Sequence, residues 1–191
     1  MNGKMVFGIG LMVMVVVAAY AQRYDPESDF KAELTANGET VRITGYIGNK
    51  REVRIPPTIQ DFPVTHIGKK AFYFKELRSV TIPDSVTTIE EWAFSGIQLT
   101  SITIPNSVIV IGGNAFYDNR LTSVTIPNSV TTIEYKAFAK NQLTSVTMPD
   151  SVKTIGKGAF KNNRLLSVTV PNSVTLLAKD AFDSGVRIVR Q

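Results

Sequence analysis

Apolar residues recur along this chain in fixed columns, and the columns define a repeating unit. Its clearest copy runs from Leu121 to Phe138 and reads Leu-Thr-Ser-Val-Thr-Ile-Pro-Asn-Ser-Val-Thr-Thr-Ile-Glu-Tyr-Lys-Ala-Phe. An Ala-Phe pair returns every 22 residues, its rings at Phe72, Phe94, Phe116, Phe138, Phe160 and Phe182. An apolar-Pro pair returns at Pro56, Pro83, Pro105, Pro127, Pro149 and Pro171, the first step 27 residues and the rest 22. A constant period of this size marks a solenoid, in which each unit buries its apolar face only against its neighbours.

The columns also predict the elements. Leu77, Leu99, Leu121, Leu143 and Leu165 open each unit; Val80, Ile102, Val124, Val146 and Val168 follow; then come Ile82, Ile104, Ile126, Met148 and Val170. The alternation of β-branched residues from Ile102 to Ile104 predicts a short strand, ended by a proline that has no N–H to give a neighbour. The Asn-Ser or Asp-Ser pair after the proline suits an Asx-type turn. Val86, Val108, Val130, Val152 and Val174 lead to Ile89, Ile111, Ile133, Ile155 and Leu177. A step of four from Ile111 to Ala115 predicts one tight helical or 3-10 turn at the back. The expected fold is therefore a repeat solenoid with parallel strands on one face and short turns or 3-10 segments on the other.

Both ends depart from the repeat. Phe30, Ala32 and Leu34 alternate with polar residues, as do Val41 and Ile43, and Asn37-Gly38 between them is a tight-turn signal. This hairpin is expected to cover the N-terminal end of the core. From Pro57 to His66 the first unit is longer than the others, and Phe62 with two prolines predicts a bulging loop at the same end. After Phe182 the Leu slot holds Arg187, and Val186, Ile188 and Val189 offer one last strand. The expected organisation is a signal peptide over 1–21, a linker over 22–29, a capping hairpin over 30–52, and about six 22-residue repeats over 53–191.

The signal-peptide expectation rests on Lys4, the uncharged run Met5–Ala21 and the small-x-small end Ala19-Tyr20-Ala21, with cleavage before Gln22. At 17 residues the run also meets the lower limit for a retained membrane anchor. Either outcome exports the chain, to the medium, the cell surface or the periplasm. The formal charge of +5 is mild and falls by one if Lys4 is removed. It fits a soluble surface, with attraction to acidic polymers such as sulfated glycans as the minority reading. Nucleic acid is not an expected partner.

The repeat resembles the leucine-rich repeat, with Leu99-x-x-Ile102-x-Ile104 filling the strand motif. More closely, the Ile-Pro-x-Ser-Val-x-x-Ile-x-x-x-Ala-Phe pattern is similar to the BspA-like, or Treponema-type, subfamily over about residues 40–185. That subfamily often places Cys or Asn between the Ala-Phe pair and the next Leu. Here the slot holds Phe74 or Lys75, then Ile97, then Asn119, Asn141 and Asn163. The asparagines are read as structural, hydrogen-bonding loop backbone, as are Phe94, Phe116, Phe138 and Phe160. The resemblance implies a secreted or surface-exposed adhesin or host-interaction protein without enzyme activity.

The chemical inventory points the same way. The absence of cysteine excludes disulfides and thiolate chemistry. His66 is the one histidine, so no metal site or cofactor is expected. Glu90, Glu91 and Glu134 read as solvated charge rather than an acid–base pair. Gly112-Gly113 and Gly156-Lys157-Gly158 lack the strand–loop–helix setting of a phosphate cradle. No catalytic residue and no small-molecule substrate is expected.

Candidate binding residues therefore lie on surfaces. Ser101 and Thr103, Ser123 and Thr125, Ser145 and Thr147, Ser167 and Thr169 face outward from the strands, with Ser79 and Thr81 before them and Glu52 and Arg54 in the same slots of the first rung. They are either ordinary strand residues or a hydroxyl platform for an extended protein or glycan. Trp92, Tyr117 and Tyr135 occupy slots that vary between copies, as exposed anchors do. Arg120, Lys140, Lys161 and Arg164 precede the Leu column and are expected along one rim. The expected partner is a protein or glycan on a host or bacterial surface, reached as an adhesin or as an envelope scaffold; membrane contact would come only through an uncleaved N-terminal segment.

Overall fold

The computed structural model describes residues 23–191, so the signal-peptide reading of residues 1–21 lies outside it. The chain winds as a β-solenoid. A hairpin of β1 (Phe30–Leu34) and β2 (Val41–Tyr46) is followed by β3 (Glu52–Arg54), β4 (Thr58–Ile59) and β5 (Phe62–Ile67). The repeats then supply two series of short strands. One holds the Ser-x-Thr segments: β6 (Ser79–Thr81), β9 (Ser123–Thr125), β11 (Ser145–Thr147) and β13 (Ser167–Val170). The other holds the residues before the Ala-Phe turn: β7 (Thr88–Ile89), β8 (Val110–Ile111), β10 (Thr132–Ile133), β12 (Thr154–Ile155) and β14 (Leu176–Leu177). β15 (Arg187–Arg190) ends the chain.

The second series adds strand pairing beside the tight turns expected at the back of the solenoid. Its two-residue strands form a continuous parallel ladder, β5-β7-β8-β10-β12-β14, in register at every step, as in Ile89↔Ile111 and Ile133↔Ile155. The Ser-x-Thr series pairs only as β3-β6, β9-β11 and β13-β15, and Ser101–Thr103 joins no ladder. The better-paired face is therefore the one whose short apolar step did not look like a strand. Two residues per turn are too few to show a period of two.

No helix forms at the Ala-Phe turn because left-handed residues interrupt it. Ala115 N–H donates to the Gly112 carbonyl and Tyr117 N–H to Asn114, both spanning three residues. Between these bonds φ is positive at Asn114, and the same slot is left-handed at Lys70, Trp92, Lys136 and Gly158. A second left-handed column runs through Phe74, Gly96, Asp118, Lys140 and Asn162. Left-handed backbone disfavours side chains with a Cβ. Here each turn pairs instead with the next: Phe94 N–H donates to Ala115 O and Phe116 N–H to Ala137 O, each at 2.8 Å.

The core is one ring column flanked by two polar ladders. Phe72 through Phe182 stack with centroids 5.1–5.5 Å apart and planes within 22°. Tyr46 of β2 continues the column onto Phe72 at 5.6 Å, and Phe30 tilts against both. Asn141 donates to Phe116 O and Phe138 O and accepts from Leu121 N–H, at 2.9–3.1 Å. Asn119 and Asn163 repeat the pattern one turn to either side. Ile97 fills the same slot with a fully buried apolar side chain. The serines after Pro form the other ladder: Ser107, Ser129, Ser151 and Ser173 each donate to the Val carbonyl of the preceding turn.

The ends differ from their sequence reading. In β1 only Phe30 is buried and Leu34 is half exposed. It is the outermost strand, and β2 lies between it and β5. The stretched first unit is a tight hairpin of β4 and β5, turning at Gln60 and Asp61, both left-handed. The segment before β1 is anchored: buried Asp25 accepts from Lys50 Nζ at 2.6 Å and from Arg54 N–H at 2.8 Å. At the other end Arg187 pairs with Ser167, which moves Gly185 into the Leu slot and shortens the last turn by two residues. Arg190 donates to Pro171 O and Val174 O and ties β15 down.

His66 of β5 stands beside Arg42 of β2 in register, and Thr88 of β7 is its other neighbour. Arg42 bonds Glu90 at 2.7 Å and Glu33 at 3.2 Å. Burial lowers the His66 pKa first, the Arg42 charge lowers it further, and Glu90 opposes both. The packing sets what substitutions and pH should do to stability. Phe116→Ala should cost about 3–5 kcal/mol and Asn141→Ala, which orphans buried backbone groups, about 1–3 kcal/mol, read from urea unfolding. Because the folded-state pKa of His66 is depressed, the unfolded chain takes up the proton more readily. Stability should fall as pH drops below the ordinary value of 6.5. His66→Gln should flatten the melting-temperature profile over that interval.

Candidate functional site

Two exposed surfaces carry the sequence-derived candidates. Ser101, Thr103, Ser123, Thr125, Ser145, Thr147, Ser167 and Thr169 are all exposed on the Ser-x-Thr face. Register sets Ser123 beside Ser145 and Thr125 beside Thr147. Charge begins at both ends of this face, where Glu52 and Arg54 flank Ser79 and Thr81, and Arg187 flanks Ser167. The backbone ladder under this face is interrupted around Ser101–Thr103, whose side chains are exposed like their counterparts in the other turns. Basic residues beside this face are partly neutralised. Lys50 is bound to Asp25, and Arg51 pairs with Glu76 at 3.0 Å.

The second surface is the edge formed by the Ala-Phe turns. Its variable slots bring rings together across successive turns. Tyr73 meets Phe74 edge-on at 4.5 Å, Trp92 packs edge-on to Tyr73 at 5.8 Å, and Tyr117 packs against Trp92 at 5.6 Å. The indole fits between the tyrosines because Ser95, small and buried, fills the intervening slot of their column. Trp92 Nε1 donates to Glu91 Oε1 at 3.0 Å, which fixes the ring. Phe74 is 60% exposed and lies across Gly96, where a Cβ would come within 2.9 Å of the phenyl ring.

Lysines cover the outer rings. Lys70 Nζ lies 5.4 Å from the Tyr73 centroid, Lys140 5.3 Å from Tyr117 and Lys136 4.9 Å from Tyr135. Such placements are attractive because the ring face is electron-rich. Hydrogen bonding to Tyr135 raises the Lys136 pKa, and hydrogen bonding to Tyr117 raises that of Lys140, so both carry full charge at neutral pH. Tyr135 is 45% exposed and makes no ring contact with Trp92. It sits one slot aside, at the start of its own turn. The left-handed backbone of Trp92 is no mark of function, because the same slot is left-handed in four other turns.

Sequence singles out Trp92, Tyr117 and Tyr135 as anchors, and the structure adds Tyr73, Lys70 and Lys136, with Phe74, a residue of the Cys/Asn slot, beside them. Their signal was present: they flank the Ala-Phe pair in slots the core leaves free. The expected basic rim separates, since Lys140 lies over Tyr117 while Arg120 joins Arg78 and Thr100 beside a shallow depression. Chemically the edge offers ring faces, phenol hydroxyls and ammonium groups. Among the described residues no group of three or more His, Asp or Glu side chains converges, and no helix is long and apolar enough to cross a membrane.

The comparisons with known proteins agree with this architecture. A leucine-rich repeat protein from Bacteroides ovatus is similar at 26% identity, with a TM-score of 0.64. A leucine rich cell surface protein from Faecalibacterium prausnitzii is similar at 25% identity, with a TM-score of 0.59. The matches cover 85% and 87% of this chain but 51% and 54% of those proteins, so the chain spans about half their length. The pneumococcal vaccine antigen PcpA shares the fold at 23% identity, with a TM-score of 0.67 over 85% of this chain and 48% of that one. No curated protein matches. The model of the BspA type leucine rich repeat region matches in six copies over residues 65–188, and with the ring column, the asparagine ladder and the turn geometry in place the chain belongs to that family.

Proposed function

We propose that the chain is an exported, non-enzymatic binding module that acts as an adhesin toward host matrix, host cells or other bacteria. The observation that carries this reading is the row of rings and lysines on the Ala-Phe edge. It displays large, partly exposed side chains on a scaffold whose interior is already filled. Aromatic anchors in fixed positions are the usual energetic centre of a recognition surface. The uniform Ser-x-Thr face is a second contact surface. Its near-identical rungs suit weak, repeated contacts rather than a tailored pocket. Family membership supports interaction in place of catalysis, and the cell-surface relative supports an external location.

The apolar run Met5–Ala21 favours a second placement. Kept as an anchor, it would hold the same domain in the envelope as a scaffold for other bacterial proteins.

Protease added to intact cells should remove the protein. Survival until the cells are opened would favour the envelope scaffold. Purified chain should then bind host matrix or bacterial cells, and Trp92→Ala with Tyr135→Ala should weaken that binding about tenfold or more. The combined Thr103→Ala, Thr125→Ala and Thr147→Ala variant measures the contribution of the hydroxyl face. Loss of binding only in that variant would move the principal site there.

A further inference from the structure

The Ala-Phe edge changes character along the stack. Its first turns present rings, Tyr73 with Phe74, then Trp92, then Tyr117, with Lys70 over the first of them. The following turns present cations. Lys136 and Lys140 are succeeded in sequence slot by Gly158 and Asn162, and exposed Lys157 and Lys161 flank the same turn. A Cβ added at Gly158 would lie 3.2 Å from Lys136 Cγ and 4.0 Å from Lys161 Cβ. Tyr135 stands where the two halves meet, under the Lys136 ammonium. Among the described residues Arg42, Lys50, Arg51 and Lys69 form ion pairs, and they lie earlier in the chain. Among the described residues Lys136, Lys140, Lys157 and Lys161 have no ion pair.

We infer that this strip binds an acidic polysaccharide bearing uronic-acid carboxylates, laid along the solenoid axis. The inference rests on the reading of the chain as a binding module and names its ligand class. A pyranose ring has an apolar C–H face that covers an aromatic ring, and hydroxyls at its edge for the tyrosines and Glu91. Its carboxylates match ammonium groups that form no direct ion pair with a protein carboxylate, Asp118 acting on Lys140 only through its charge. Successive phenylalanine rings in the adjoining column lie 5.1–5.5 Å apart, so the turns repeat on the scale of a single sugar residue. A folded protein partner has no such axial repeat. The strip also needs both halves: rings alone would take neutral sugars, and lysines alone any polyanion.

The chain's single tryptophan lies in the strip and reports on it. Purified protein should be titrated with polygalacturonate, with fully methyl-esterified polygalacturonate and with polyglutamate, following Trp92 fluorescence. Polygalacturonate should shift the emission saturably, more weakly as salt rises. The neutral ester and the acidic polypeptide should bind at least about tenfold more weakly. The charge reversals Lys136→Glu and Lys140→Glu together, and separately Tyr117→Leu, should each weaken polygalacturonate about tenfold. Lys153→Ala, an exposed cation beside the Thr154–Ile155 strand and off both contact surfaces, should leave it unchanged. Circular dichroism confirms that each variant is folded.

No emission shift with polygalacturonate overturns the inference. So does equal binding of polyglutamate, which would make the strip a site for acidic polypeptides, or binding indifferent to the lysine reversals. If polygalacturonate fails while the same variants lose adhesion to cells or matrix, the glycan is wrong and the binding-module reading stands. If the unaltered chain binds neither, both readings fall.

Discussion

In-register stacking is the constraint on which everything else in this molecule depends. A solenoid turn cannot close its own core, so each apolar column must fall on the same column of the next turn. The chain meets this with a translation of constant direction and nearly constant size. Phe rings lie 5.1–5.5 Å apart, and Ile89, Ile111, Ile133 and Ile155 pair directly along one ladder. The polar ladders follow the same translation. Asn141 bridges two carbonyls because Phe116 and Phe138 lie one turn apart, and Ser151 reaches Val130 for the same reason. A shift of one residue anywhere would break rings and hydrogen bonds together.

The same constraint decides where function can reside. Slots that stack vary little from turn to turn and have little to distinguish. The Ser and Thr positions are nearly as uniform. Only slots that point away from both the core and the ladders are free to vary, and those beside the Ala-Phe pair vary most. Tyr, Ser, Tyr, Ala and Lys follow one another at positions 73, 95, 117, 139 and 161. Because the scaffold spaces them regularly, single substitutions build a surface that changes from aromatic to cationic along one line.

The ends show how stacking is stopped without losing its partners. Tyr46 takes the place of a phenylalanine, and its hydroxyl accepts from Lys50 N–H at 3.1 Å, so the ring column terminates in a satisfied polar group. Phe30 covers it. At the far end Arg190 returns its guanidinium to carbonyls of the preceding turn, and the last ladder carries Arg187 where the repeats carry serine.

Most of the architecture was legible in the sequence because a solenoid writes its geometry as a period. The six Ala-Phe pairs, the Pro column and the Asn-Gly hairpin needed no third dimension to be read. Tertiary structure decided what depends on contact between turns. Strand pairing moved to Thr88–Ile89 and its successors, because two residues show no periodicity until neighbours supply their partners. The left-handed slots at Trp92 and Lys136 could not be foreseen, since local preference disfavours them and only backbone bonds to adjacent turns hold them. Tyr73, Trp92, Tyr117 and Lys140 are scattered over four repeats, and it is their common translation that makes them one surface. Sequence determined which side chains were available; the stacking of turns decided which of them meet.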